Sequence, residues 1–215
     1  MRRKERFDGV IRYFTEHQPT ASTELHYVDP YELMVAVVLS AQCTDKRVNL
    51  ITPGFFRRFP TIESLADASF DDVIALINSC SYPNNKARHL IAMARKLRDD
   101  YDGIVPSDRD ELQKLPGIGR KSANVIASVA FHQPFIAVDT HVFRVAARIG
   151  LTHRAKNPLQ AEEQLVRYIP EKLIPVAHHW LILHGRYICQ ARKPRCGECP
   201  LTSWCAFFFK IKEQG

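Results

Sequence analysis

The residues best suited to chemistry lie in three places. The first is a run of cysteines: Cys189, Cys196, Cys199 and Cys205 follow one another as Cys-x6-Cys-x2-Cys-x5-Cys, while Cys43 and Cys80 stand alone in apolar or turn contexts. Clustering of this kind reads as metal binding, since six cysteines signal a disulfide framework chiefly in short secreted chains. Four thiolates in a roughly tetrahedral array can hold zinc or a [4Fe–4S] cube. Structural zinc commonly uses two Cys-x2-Cys knuckles, and one is present here. The uneven spacing wraps a single loop around something bulkier than one ion. That favours iron–sulfur and leaves zinc as the alternative. A cube with four thiolates is doubly negative, and Arg186, Arg192, Lys193 and Arg195 stand close by to offset it. Arg192, Lys193 and Arg195 are expected to face outward, toward phosphates.

The second place is Leu115-Pro116-Gly117-Ile118-Gly119-Arg120-Lys121, a tight turn with helical patterns on both sides. Gly117 and Gly119 let the backbone take positive φ and let an anion approach bare N–H groups at the start of the next helix. This is a helix-hairpin-helix, which grips the nucleic-acid backbone without reading sequence. Ile118 at its tip is expected to pack between the helices, and Arg120 to touch phosphate. Lys121 sits in the first helical turn, where a lysine of a basic protein is ordinarily a phosphate contact. To act as a nucleophile it must be neutral, whereas an ordinary lysine titrates near pH ~10.4. The helix-end potential, Arg120 and partial burial would all push that value down.

The third place is Phe135-Ile136-Ala137-Val138-Asp139-Thr140-His141, which delivers an acid from an apolar run to a helix start. As a helix cap Asp139 is ordinary. Facing the same cleft as a lysine amine, its carboxylate would stabilise an oxocarbenium-like sugar while the amine attacks the anomeric carbon.

The elements that must position these groups read as helices, and no run alternates convincingly as a strand. Ala87, Leu90, Ile91, Ala94, Leu97 and Tyr101 form an apolar stripe that stops near Gly103. Ser69 caps a short helix from Phe70 to Ile77, and Ser107 with Asp110 makes a capping-box-like start for a helix through Leu115. Lys121 to Phe131, Asp139 to Ile149 with Gly150 as its stop, a helix opened by Asn157-Pro158, and Pro175 to about Cys189 complete the reading. The fold class is all-α.

Composition narrows the partner. The 215 residues carry a formal charge of +7, which points to an acidic partner, nucleic acid before a membrane surface. No apolar h-region follows the basic N-terminus, and the run Leu33 to Leu39 falls well short of the ~18 residues a membrane span needs. The protein is expected to be cytoplasmic and associated with the nucleoid through DNA.

Hairpin, aspartate and cysteine quartet, in this order and spacing, make the sequence resemble the endonuclease III family of bifunctional DNA glycosylases. The matching pieces include Leu39-Ser40-Ala41-Gln42, Leu115 to Ile126, Val138 to Val145 and His178 to Tyr187, nearly the whole chain. The resemblance implies a two-lobed fold: a helical barrel over about 22–132 with the hairpin at about 108–127, and a cluster lobe built from 1–21 and 133–215. It implies one [4Fe–4S] cluster per chain on the four cysteines, settling the choice against zinc. It also implies removal of oxidised pyrimidines from duplex DNA, with Lys121 as the Schiff-base nucleophile, Asp139 as the essential acid, and strand cleavage by β-elimination. The expected partner is duplex DNA with a damaged base or abasic site, bound by a monomer.

One departure from the family pattern matters. The family places a leucine in a Gly-Leu-Tyr-Asn-like loop before Lys-Ala, whereas this chain has Ser81-Tyr82-Pro83-Asn84-Asn85-Lys86-Ala87. Tyr82 therefore stands where a leucine would enter the hole left by an extruded base. Stacking lets tyrosine fill it, and Gln42 is expected to hydrogen-bond the orphaned base. Asp45 is a possible pocket residue. His178, His179 and His184 are read as packing, because the cysteines already complete a metal site. Two rival readings are an adenine-specific mismatch glycosylase of the same superfamily, which typically lacks the hairpin lysine, and a non-catalytic hairpin protein stapled by zinc.

Overall fold

A computed structural model describes residues 1–213. Among them are twelve α-helices, a few 3₁₀ turns and no strand. In chain order these are α1 (Arg3–His17), α2 (Pro30–Ser40), α3 (Asp45–Arg58), α4 (Ile62–Ala66), α5 (Phe70–Ile77) and α6 (Pro83–Asp100). They continue with α7 (Arg109–Leu112), α8 (Arg120–Phe131), α9 (Thr140–Ile149), α10 (Pro158–Val166), α11 (Ile174–Tyr187) and α12 (Ala206–Glu213). Among the described residues no helix is long and apolar enough to cross a membrane.

Local chemistry explains where most helices begin. Asp29, Thr44, Thr61, Ser69, Asp108, Asp139 and Asn157 each accept a first-turn amide into a side-chain oxygen, at α2, α3, α4, α5, α7, α9 and α10. Such a cap stabilises a helix by about 1 kcal/mol. At α7 the structure corrects the sequence reading, since the cap is Asp108 and not Ser107. The Asp108 carboxylate takes both the Asp110 and Glu111 amides, at 2.8 and 2.9 Å, so Ser107 lies outside the helix. The α-helix also ends at Leu112, and successive tight turns carry the chain to Leu115.

The chain folds into two compact units, Thr23–His132 and Met1–Ser22 with Gln133–Gly215. In the first, α2 is apolar on nearly every side and forms the centre: Leu33, Met34, Val35, Ala36 and Leu39 are fully buried. A helix without a polar face must be surrounded, and α3, α6 and α8 pack on it. Full burial of each large aliphatic side chain contributes roughly 1.5–3 kcal/mol.

The second unit is built on α9, whose Val142, Val145, Ala146 and Ile149 are buried against α11 and α12. At Gly185 of α11 an added Cβ would lie 2.9 Å from His141 Cβ and 3.0 Å from a Val145 methyl, so only glycine permits this approach. Both chain ends contribute to the same core. Phe14 stacks on Trp180 at 5.4 Å, the Trp180 indole donates to the Gln18 carbonyl at 2.7 Å, and the Trp204 ring lies flush on Gly9. These contacts tie α1 to segments about 160 to 200 residues further along.

Candidate functional site

The hairpin joins α7 to α8 within the unit Thr23–His132. Gly117 has φ +81°, and a Cβ there would meet His89 Cβ at 2.9 Å, so conformation and space both require glycine. Leu115 and Ile118 are buried and hold the turn from inside. Gly119 serves differently. Its φ is −87°, open to any residue, and an added Cβ would meet nothing within 4 Å. As the residue before α8 it has no side chain to cap the first-turn amides. A helix start with a glycine cap and open space beside it is the positive end of a helix, the arrangement that receives an anionic oxygen.

Arg120 and Lys121 are exposed beside that helix end. Partial burial of Lys121, expected from the sequence, does not occur, because Ala123 and Asn124 take the buried positions of that turn.

Two further loops of the same unit come together. Gln42 and Tyr82 both adopt left-handed backbone, with φ of +53° and +55°. Side-chain-bearing residues rarely do so, and such strain persists where the surroundings enforce it. The Ser81 hydroxyl donates to the Gln42 carbonyl at 2.7 Å, joining the loops. Beneath them Lys86 is buried, and its amine donates to the Leu39 carbonyl at 2.7 Å. Burial pushes that amine below the usual lysine range. Tyr82 is 61% exposed, and Pro83 immediately begins α6 behind it, so a large ring is held outward on a stiff base. Asp45 is half-buried in the first turn of α3, two residues after Cys43.

In the other unit, Asp139 caps α9, with its Oδ1 accepting the Val142 amide at 2.8 Å. This bond fixes the carboxylate at the end of the buried run Ile136, Ala137 and Val138.

The four clustered cysteines line one pocket together with apolar groups including Ile149, Leu201 and Phe207. They are free thiols. Cys199 is pushed up to about 11 by burial, with the three neighbouring cysteines adding to the effect, and burial likewise raises Cys205. Cys189 and Cys205 are buried, while Cys196 and Cys199 are half-exposed. The cysteines offer an all-sulfur donor set, which suits an iron–sulfur cubane.

Two residues that reach the clustered cysteines were not assigned to them by the sequence reading. Arg148 donates to the Gln190 and Ala191 carbonyls at 2.7 Å each, and reaches Cys189 Sγ at 3.6 Å. His184, read from sequence as packing, brings Nε2 to 3.6 Å from Cys199 Sγ. Burial pushes that imidazole down to about 4, so it is neutral. The available signal for Arg148 was Arg144 and Arg148, one turn apart on an otherwise apolar helix. Arg144 bonds the Cys189 and Gly185 carbonyls, at 3.2 and 2.9 Å. Arg192 and Lys193 are exposed, and so is Arg195, which pairs with Glu198 at 3.7 Å.

A glycine hairpin opening a helix and a sulfur-lined cavity define a helix-hairpin-helix DNA-repair protein. In agreement, residues 35–171 match the family model of the HhH-GPD superfamily base excision DNA repair proteins, and residues 189–205 match the iron-sulfur binding domain of endonuclease III. Endonuclease III of Rickettsia felis is 46% identical, with 93% of each chain covered. That of Bacillus subtilis is 46% identical over 87% of this chain and 85% of its own. A solved endonuclease III, trapped as a covalent intermediate with DNA, superposes with a TM-score of 0.92 at 41% identity, over 99% of this chain and all of that one. The chain belongs to the endonuclease III family. It is a base-excision repair enzyme, a DNA glycosylase with AP lyase activity, and its cofactor is a [4Fe–4S] cluster.

Proposed function

We propose that the protein removes oxidised pyrimidines from duplex DNA, with Lys121 as nucleophile and Asp139 as the acid that stabilises the departing state. The observation that carries this reading is the glycine-capped N-terminus of α8, where Gly119 leaves open space and Lys121 stands exposed in the same turn. A phosphate held on the α8 amides, with Arg120 beside it, fixes the backbone of the damaged strand close to the Lys121 amine.

The exposed Tyr82 ring and the Gln42 amide enter the duplex as the damaged nucleotide leaves it, Tyr82 by stacking and Gln42 by pairing with the orphaned base. Asp45 lines the pocket that receives the extruded base. The Lys121 amine attacks C1′ and the base departs with its bonding pair, while the Asp139 carboxylate offsets the positive charge growing on the sugar. The sugar ring then opens: the C1′–O4′ bond breaks, O4′ takes up a proton, and the nitrogen loses its own, which leaves an imine between C1′ and Lys121. Removal of a 2′ proton then expels the 3′ phosphate and breaks the strand. Cys189, Cys196, Cys199 and Cys205 would hold the cluster, which when bound supplies a rigid brace for the loop bearing Arg192, Lys193 and Arg195. That loop adds phosphate contacts. The protein works as a monomer on nucleoid DNA in the cytoplasm.

Borohydride reduction tests the covalent step. On a thymine glycol duplex the enzyme should become covalently trapped, and Lys121→Ala should abolish trapping while retaining binding. Undiminished trapping in that variant would move the nucleophile elsewhere, for instance to the N-terminal amine. Cleavage confined to adenine opposite 8-oxoguanine would favour the mismatch-glycosylase reading instead.

A further inference from the structure

Two cysteines take no part in the cluster, yet they meet. Cys43 lies in the turn between α2 and α3, Cys80 in the turn between α5 and α6, and their Sγ atoms are 3.9 Å apart. Cys43 is half-exposed and Cys80 buried, and both thiols are free. Each adjoins one of the two strained loop residues: Gln42 precedes Cys43, and Tyr82 follows Cys80 by two positions. The same loops are already joined by the Ser81–Gln42 hydrogen bond. The thiol pair therefore sits at the base of the two-fingered structure that carries Gln42 and Tyr82.

We propose that Cys43 and Cys80 form a redox-modification site, which a small-molecule disulfide closes into a covalent link between these loops, weakening their insertion into DNA. Cys43, the accessible thiol, reacts first: its thiolate attacks one sulfur of RSSR, the S–S bond breaks, and RS⁻ leaves with the bonding pair and takes up a proton. Cys80 is pushed up to about 11, mainly by burial and then by Cys43, with Lys86 and Arg47 opposing, so it stays protonated at this stage. Cys80 then loses its proton and attacks the Cys43 sulfur of the mixed disulfide, expelling the second RS⁻, which is protonated in turn. The two thiols are oxidised by two electrons and RSSR is reduced to two RSH. Bonding requires the sulfurs to approach by roughly 2 Å. Gln42 and Tyr82 are held in left-handed backbone beside those atoms, so the movement shifts both from the spacing in which they project.

The functional consequence rests on the proposed roles of Gln42 and Tyr82; the chemistry does not. The holoenzyme would be exposed to glutathione disulfide, its remaining thiols blocked with N-ethylmaleimide, and its peptides mapped, with cluster absorption followed to show that the other four cysteines stay ligated. A Cys43–Cys80 cross-link that dithiothreitol reverses is expected. Affinity for a thymine glycol duplex should fall about tenfold, the scale of one lost base–aromatic stack, while undamaged duplex binds as before. Cys43→Ser should be insensitive to the oxidant. Absence of the cross-link, or a cross-link that leaves lesion affinity unchanged, would overturn the proposal. Wild-type lesion affinity in reduced Tyr82→Ala and Gln42→Ala enzymes would instead overturn the loop roles on which the consequence depends.

Discussion

At the scale of single residues, one side chain here holds a structural bond and is proposed to hold a chemical role as well. Asp139 caps α9 through the Val142 amide, and the same carboxylate is assigned to the reacting sugar. The two roles separate cleanly because Asn caps a helix about as well as Asp, so Asp139→Asn should preserve stability within roughly 1 kcal/mol. What it removes is negative charge where positive charge develops. Base excision should slow by about 100-fold or more on the scale of preorganised electrostatic stabilisation. Cleavage at a preformed abasic site needs no base departure and should be hurt less. Rates of both reactions, measured beside the Tm of the variant, check this. Excision near wild type with a lowered Tm would make Asp139 a cap alone.

At the scale of elements, α11 shows what packing demands of polar residues. It buries His178, His179, Trp180 and His184 on one helix. His179 is pushed down to about 3 by burial, with His178 and Arg186 adding to the effect. The folded protein thus keeps it neutral, while the unfolded chain binds a proton near the ordinary value of 6.5. Stability from this residue is complete above about pH 6.5 and declines as pH falls toward 3, because protons favour the unfolded state throughout that window. Between pH 6.5 and 5 the loss is roughly 2 kcal/mol. The Tm should drop by several degrees between pH 7 and pH 5, and His179→Gln should show a visibly shallower drop. Equal slopes in variant and wild type would assign the acid sensitivity elsewhere.

At the scale of the whole molecule, the excess of positive charge becomes a measurable binding property. The formal charge of +7 includes exposed Arg192 and Lys193 in the loop between Cys189 and Cys196. Each phosphate contact releases condensed counterions, so affinity for duplex DNA should fall steeply with salt. Arg192→Ala and Lys193→Ala should each flatten the slope of log affinity against log salt by roughly one charge. A slope unchanged in both variants would show that this loop stays clear of DNA.

Much of this was legible in the linear chain, because the signals concerned are local. Glycine at 117, the cap at Asp139, the stop at Gly150 and the stripe from Ala87 to Tyr101 act through neighbours within a turn or two, and cysteine spacing reflects the reach of one loop. At α7 the sequence reading took Ser107 as the start, whereas the structure uses the Asp108 carboxylate, able to take two amides at once. Tertiary structure alone decided the contacts between distant segments. Arg148 meets the cluster loop some forty residues away, His184 leans on Cys199, and Cys43 finds Cys80 across three helices. Nothing in the identity of those residues specifies their partners. The partners are set by how apolar helices such as α2 and α9 must be surrounded to leave water, and only that packing brings the remaining polar and sulfur atoms within reach of each other.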